Sequence, residues 1–232
     1  MEKQIATPDP APARPPDPAI RPKAILLVAF IVAWAGSCIR PPYPSELVLQ
    51  HIPTVVAVVG LVCADHRWRF SLASFAQVLA FLGLHLLGAR YLYSNVPYDD
   101  WARAICGAEI SAQFGWERNH YDRLVHLAYG LLLVGPCREV LVRSAGIRGV
   151  WSHALAISLI LATSAGYELL EGLVAFALDP TEAEAYNGQQ GDMWDAQKDM
   201  ALALLGAVVS TALVVALEAT RSKRPLGPSQ SR

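Results

Sequence analysis

Charge is scarce in this chain of 232 residues: 17% are Asp, Glu, Lys or Arg, where soluble domains carry about a quarter, and 53% are hydrophobic. That shortage excludes a polar surface on every side, and a net charge of −1 leaves no electrostatic footprint for nucleic acid. Cysteine is sparse as well. Cys38, Cys63, Cys106 and Cys137 show no CxxC spacing, which argues against a zinc finger or a disulfide framework; Cys38 and Cys106 share the expected outer side of a membrane, where a pair is open to them. GxSxG, Walker A, HExxH and GxGxxG strings are absent, so serine-hydrolase, nucleotide-binding, zincin and dinucleotide readings have no support.

Long apolar runs are what the chain has in abundance. They recur at 24–39, 47–64, 72–89, 121–141, 153–178 and 200–217, and several approach the ~20 residues that span a ~30 Å hydrocarbon core. The runs predict an all-α polytopic bundle of six transmembrane helices. Gln50, His51 and Pro53 make the second the weakest, so it is expected to be short, tilted or kinked at Pro53. Asp122, Arg123 and His126 open the fourth, whose outer turn must therefore face protein or water.

Orientation follows from the basic residues. Thirteen Lys and Arg fall in one set of alternate segments, from Lys3 to Arg232, while Arg40, Arg90, Arg103 and Arg118 fall in the other. Short cytoplasmic loops are the richer in such residues, which puts both termini in the cytoplasm. The loop 179–193, with Asp179, Glu182, Glu184 and Asp192 and no basic residue, then lies outside. Residues 1–22, with seven prolines, are expected to form a disordered cytoplasmic arm, 23–219 the membrane domain, and 220–232 a short basic tail. A competing reading of the first run is a cleaved export signal ending at Ala33-Trp34-Ala35. In the loop 90–120, Tyr91, Tyr93, Tyr98, Trp101 and Trp116 suit an outer interface, and a short interfacial helix is expected over 98–112. Asp65-His66-Arg67 reads as a solvated cytoplasmic charge run.

Against this apolar background, a few ionisable residues stand out. Asp192 and Asp195 have a structural role at hand, capping the last helix and meeting its dipole; Asn119 and Asp122 have the same at the fourth. Asp199 shares the face of Asp195 one turn deeper, about 9 Å below the helix start. Glu171 and Glu168 lie about 9 and 14 Å below the outer end of the fifth helix, and His85 about 8 Å below that of the third. His126 follows Asp122 by one turn. An ionisable side chain at such depth costs at least ~2.5–3.5 kcal/mol and calls for a partner, a water cavity or a function.

Three explanations stand side by side. The layer is an internal polar network, with Glu168, Glu171 and Asp199 neutralised by Arg123 and Lys198, His85 and His126 as neutral hydrogen-bonding partners, and Asp122 and Asp192 in support. Or it binds a divalent metal ion through His85, His126, Glu168, Glu171, Asp195 and Asp199, with Glu168, Glu171 and Asp199 as candidate catalytic groups. Or it is part of an ion or proton pathway of a transporter, although no matching polar step reaches the cytoplasmic half.

Several strings in these segments are distinctive: Gly83-Leu84-His85 with Tyr91-x-Tyr93 and Val96-Pro97; Arg118-Asn119-His120-Tyr121-Asp122-Arg123-x-x-His126; Arg138-Glu139; Tyr167-Glu168-x-x-Glu171; and Gly188-x-x-Gly191-Asp192-x-Trp194-Asp195-x-x-x-Asp199-Met200. On these the chain resembles the YjdF-like inner-membrane protein family over most of 24–217. The resemblance implies a bacterial multi-pass inner-membrane protein and no particular activity. There is also a fainter similarity to VanZ-like membrane proteins, which likewise set acidic and histidine motifs at helix ends.

The sequence therefore predicts a bundle embedded in lipid, with an outward-facing His/carboxylate pocket between helices three to six. That pocket is expected to take a divalent cation and act on an amphiphilic or lipid-linked substrate. The rival expectations are a non-enzymatic membrane protein held together by the polar layer, and a coupled transporter.

Overall fold

The computed structural model describes residues 17–177 and 188–222. The arm up to residue 16, the acidic loop positions Asp179, Glu182 and Glu184, and the tail from residue 223 lie outside them. Eight helices are described: α1 Ile20–Ser37, α2 Pro44–Trp68, α3 Leu72–Tyr91, α4 Tyr98–Cys106, α5 Ile110–Phe114, α6 Tyr121–Ala145, α7 Val150–Ala177 and α8 Asp195–Ser222. Six of them, all but α4 and α5, are long and apolar enough to cross a membrane.

Local chemistry sets several boundaries. Ser71 caps α3, its Oγ accepting from the Ser74 N–H at 3.1 Å. Glu139 of α6 accepts from the Ser71 backbone N–H at 2.6 Å and from its hydroxyl at 2.8 Å, tying the start of α3 to the far end of α6. α2 runs through Pro53 for 25 residues, longer than its apolar stretch, because Pro44 occupies the first turn, where no N–H partner is required. The helix expected over 98–112 is split at Gly107, whose φ of 76° ends α4 before α5 begins.

α6 is the hub. It packs most extensively on α8 and flanks α3 on one side and α7 on another; α3 in turn carries α1 and α2, and α7 also packs on α8. The α6–α8 crossing is close because Gly130 and Gly206 face the opposing backbone: a methyl on Gly130 would overlap the Ala203 carbonyl oxygen, and one on Gly206 the Leu127 carbonyl oxygen. Ala203, Ala207, Ala156 and Ile160 fill this layer and are fully buried. At the opposite side of the bundle Phe30, Leu61, Phe75, Leu79 and Leu82 join α1, α2 and α3. Asp65, expected to be solvated, instead accepts from Lys23 of α1 at 2.8 Å, and Lys23 also reaches Asp17 at 2.7 Å.

Candidate functional site

His126 lies five residues into α6 and is buried. Its Nε2 stands 3.7 Å from Asp122 Oδ1, one turn back on the same helix, and 3.6 Å from Glu168 Oε1 of α7. Asp199 of α8, only 1% exposed, completes the group: one donor atom each from Asp122, His126 and Asp199 lie within 4.8 Å of one another. Three helices that pack directly on each other thus bring three carboxylates to one imidazole. Among the described residues, Glu168 Oε1 and Asp199 Oδ1 are buried without a hydrogen-bond partner.

The cations expected to neutralise this layer are engaged elsewhere. Arg123 Nη2 binds Asp192 Oδ2 at 2.7 Å and Asp195 Oδ1 at 2.9 Å, and Arg118 Nη1 binds Asp195 at 2.7 Å. Lys198 Nζ binds Asp192 at 2.6 Å. Asp192 lies outside the helical spans, and its hydrogen bond from Lys198, helped by the Trp194 backbone N–H, brings its carboxyl down to about 2. Beside this clamp the Asn119 N–H donates to Gln190 Oε1 at 2.9 Å, and Gln190 Nε2 returns a bond to the Asn119 carbonyl at 3.1 Å. The segment leading into α8 is thereby fastened over the start of α6.

His85 stands on another wall. Its Nε2 faces Thr54 Oγ1 at 2.8 Å and the Gln50 carbonyl at 3.2 Å, and its Nδ1 faces the Tyr93 hydroxyl. Because a carbonyl only accepts, Nε2 carries the proton and Nδ1 accepts from Tyr93. Both ring nitrogens are therefore in use. Tyr93 gets there because Leu92 and Tyr93 adopt left-handed φ of 57° and 52°, and because Gly88 leaves room: a methyl there would fall 2.7 Å from the Tyr93 ring.

A cavity of about 220 Å³ separates these two walls. Asp122, His126 and Glu171 line one side and His85 with Tyr93 the other, and Ser164 and Tyr167 of α7 also face it. The structure thus brings together Asp122, His126, Glu168 and Asp199, sets Glu171 at the same cavity, faces His85 across it, and holds Asp195, Asp192, Arg123 and Lys198 in the clamp above. Thr54 and Ser164 went unnoticed in the sequence, since short polar side chains at bundle-facing positions leave no mark in a hydropathy pattern, and Gln50 registered only as a weak point of its span. Arg118 was legible as a loop charge and as the start of a distinctive string, without its partners.

A second cavity, of about 80 Å³, lies in the other half of the bundle against Gln77, Arg138, His153, Ser210 and Thr211, where no polar step was expected. The close-packed Gly130, Ala203, Ala207 and Ile160 layer lies between the two.

Comparison with known proteins adds the following. The profile of the family described as Predicted membrane protein (DUF2238) matches residues 22–220. Inner membrane protein YjdF of Escherichia coli (strain K12) is similar, 35% identical over 179 residues that cover 76% of this chain and 81% of its own. No solved structure matches the chain. Six candidate spans and this match over most of the chain make it a multi-pass inner-membrane protein, and it belongs to the DUF2238 family of membrane proteins.

Proposed function

We propose that Asp122, His126 and Asp199, with Glu168 as a fourth donor, hold a divalent metal ion, and that the site acts on an amphiphilic or lipid-linked substrate reached from the outer face of the membrane. The observation that carries this is the pair of orphaned buried carboxylate oxygens, Glu168 Oε1 and Asp199 Oδ1, beside an imidazole that faces three carboxylates. An effectively buried ion costs several kcal/mol unless it is compensated, and the nearby Arg123 and Lys198 are spent on Asp192 and Asp195.

The donor set fits. Nitrogen and oxygen ligands without thiolate suit zinc, manganese or iron. Four donors about 2.1 Å from such an ion would lie about 3.4 Å apart; the separations at His126 are 3.6 and 3.7 Å, the donor atoms of Asp122, His126 and Asp199 lie within 4.8 Å of one another, and Glu168 joins them through its approach to His126, so binding draws the side chains inward. A bound ion would polarise an ester or phosphate oxygen or acidify a water. Glu171, on the cavity wall and outside the donor set, is placed to accept a proton, and the Asp192–Arg123–Asp195 clamp holds α6 and α8 in register around the donors.

A purely structural role is the weaker account on energetic grounds. Interhelical hydrogen bonds in a bilayer contribute about 0.6 kcal/mol on average, less than the cost of burying two carboxylate oxygens without a hydrogen bond, and the Gly130–Gly206 crossing joins α6 to α8 without any polar side chain. Transport is disfavoured by the close-packed layer between the two cavities. Elemental analysis of protein purified without chelator tests the proposal. About one equivalent of a divalent transition metal is expected, falling below about a tenth in His126→Ala and Asp199→Asn; a monodisperse, metal-free wild type that takes up none on addition contradicts it.

A further inference from the structure

The shape and polarity of the larger cavity say more about what enters it than the donor cluster does. Its lining is graded along the bundle axis. At the end near the clamp are Gln50, His85, Asp122, His126 and Glu171, and toward the middle of the spans are Ala57, Phe81, Leu82, Tyr129 and Thr163. From Asp122 to Tyr129 this gradient runs about 10 Å along α6. A lipid in the leaflet beside the clamp is ordered in the same sense, head group toward the surface and chain toward the midplane.

The cavity also has an open flank. α3 and α6 pack together as its floor, α2 rises from the α3 side and α7 from the α6 side, and neither rim helix has the other as a main packing partner. On the rims, Thr163 is exposed although it lines the cavity, and Ile52, Val55 and Val56 of α2 and Leu170 of α7 are exposed apolar neighbours. Gly166, one turn beyond Thr163, has open space where a side chain would project. Exposed apolar residues at this depth face acyl chains, so the flank between α2 and α7 opens into the bilayer.

Building on the amphiphilic-substrate reading above, we propose that the cavity admits a bilayer lipid sideways between α2 and α7, its head group lying at Asp122, His126 and Glu171 and its acyl chain against Ala57, Phe81 and Leu82. Water alone would leave those carbons wetted, whereas a chain covers them while the head group keeps the charged end solvated. Tyr129 marks the inner limit: its hydroxyl donates to Thr163 Oγ1 at 2.6 Å and its ring meets Phe81 edge-on at 5.3 Å between centroids.

The test uses the full-length protein in phosphatidylethanolamine vesicles containing a minor fraction of phosphatidylethanolamine with a diazirine midway along one chain. After photolysis, adducts are mapped by mass spectrometry. Lipid surrounding the bundle reports at Val28 and Val32 on the exposed face of α1, whereas Leu82 and Val125 are buried at the cavity floor and report only a chain inside. Adducts at Leu82 and Val125 are expected in the wild type, falling about tenfold in Thr163→Trp, and in Ala57→Phe as an independent obstruction, with Val28 and Val32 unchanged. Labelling confined to α1, or floor labelling that both obstructing variants leave intact, overturns lateral entry. Metal content measured on the same samples separates the two proposals: floor labelling in metal-free protein removes the metal alone, and a stoichiometric metal without floor labelling removes the lipid alone.

Discussion

Asp199 is almost fully buried, with one oxygen unpartnered among the described residues, although Arg123 and Lys198 enter the membrane within two turns of it. Depth alone does not tell these acids apart. Asp195 and Asp199 share a helix face, and the start of α6 with the segment before it brings Arg123 and Arg118 to the first while the second meets His126. For the same reason Asp122, read in the sequence as a helix-entry acid, stands in the cluster, and His85 does not. An acid kept for a bound cation is a liability without it. Asp199→Asn is therefore expected to raise the stability of chelator-treated protein by about 1–3 kcal/mol in detergent unfolding and to abolish the stabilisation that added metal gives the wild type. A structural hydrogen-bonding role predicts the opposite sign, with the asparagine variant less stable under both conditions.

At the level of elements, hydropathy located the six spans because a lipid-facing helix must be apolar over its whole length. Their ends were less legible: α2 extends through polar turns at both ends, and Gly107 breaks the aromatic loop into two helices. The α6–α8 contact was not visible at all, since Gly130 and Gly206 sit in distant segments and a glycine in a membrane helix does not announce its partner. That contact carries the donor geometry, because it sets how near α8 brings Asp199 to His126. Gly130→Val drives a side chain into the Ala203 backbone and is expected to cost about 1–3 kcal/mol or more, together with loss of metal binding. Gly166→Val, where a side chain meets open space, is expected to be nearly neutral. Equal stability of the two variants, measured by the same detergent unfolding, removes this account of the crossing.

For the molecule as a whole, the donor cluster, the clamp and the polar end of the large cavity all gather at one membrane face, the one formed by the end of α3 and the starts of α6 and α8. The basic-residue asymmetry predicts that this face lies outside, with both termini in the cytoplasm, and we propose that orientation. Reporter fusions within 179–187 are expected to behave as exported and those after Arg221 as cytoplasmic; the reverse pattern would turn the cavity toward the cytoplasm and redirect lipid entry to the inner leaflet. Most of the motif strings in the sequence fall at this face, with Arg138-Glu139 at the other, whereas the cavity itself, built by four helices far apart in the chain, emerges only from their packing.

X-ray absorption at the edge of the co-purified metal reads the donors themselves. The proposed site predicts one imidazole and otherwise oxygen neighbours at about 2.0–2.2 Å, unchanged in His85→Ala, and oxygen neighbours alone in His126→Ala reloaded with excess metal. A metal surrounded by sulfur, or an imidazole signal that survives His126→Ala, would contradict it.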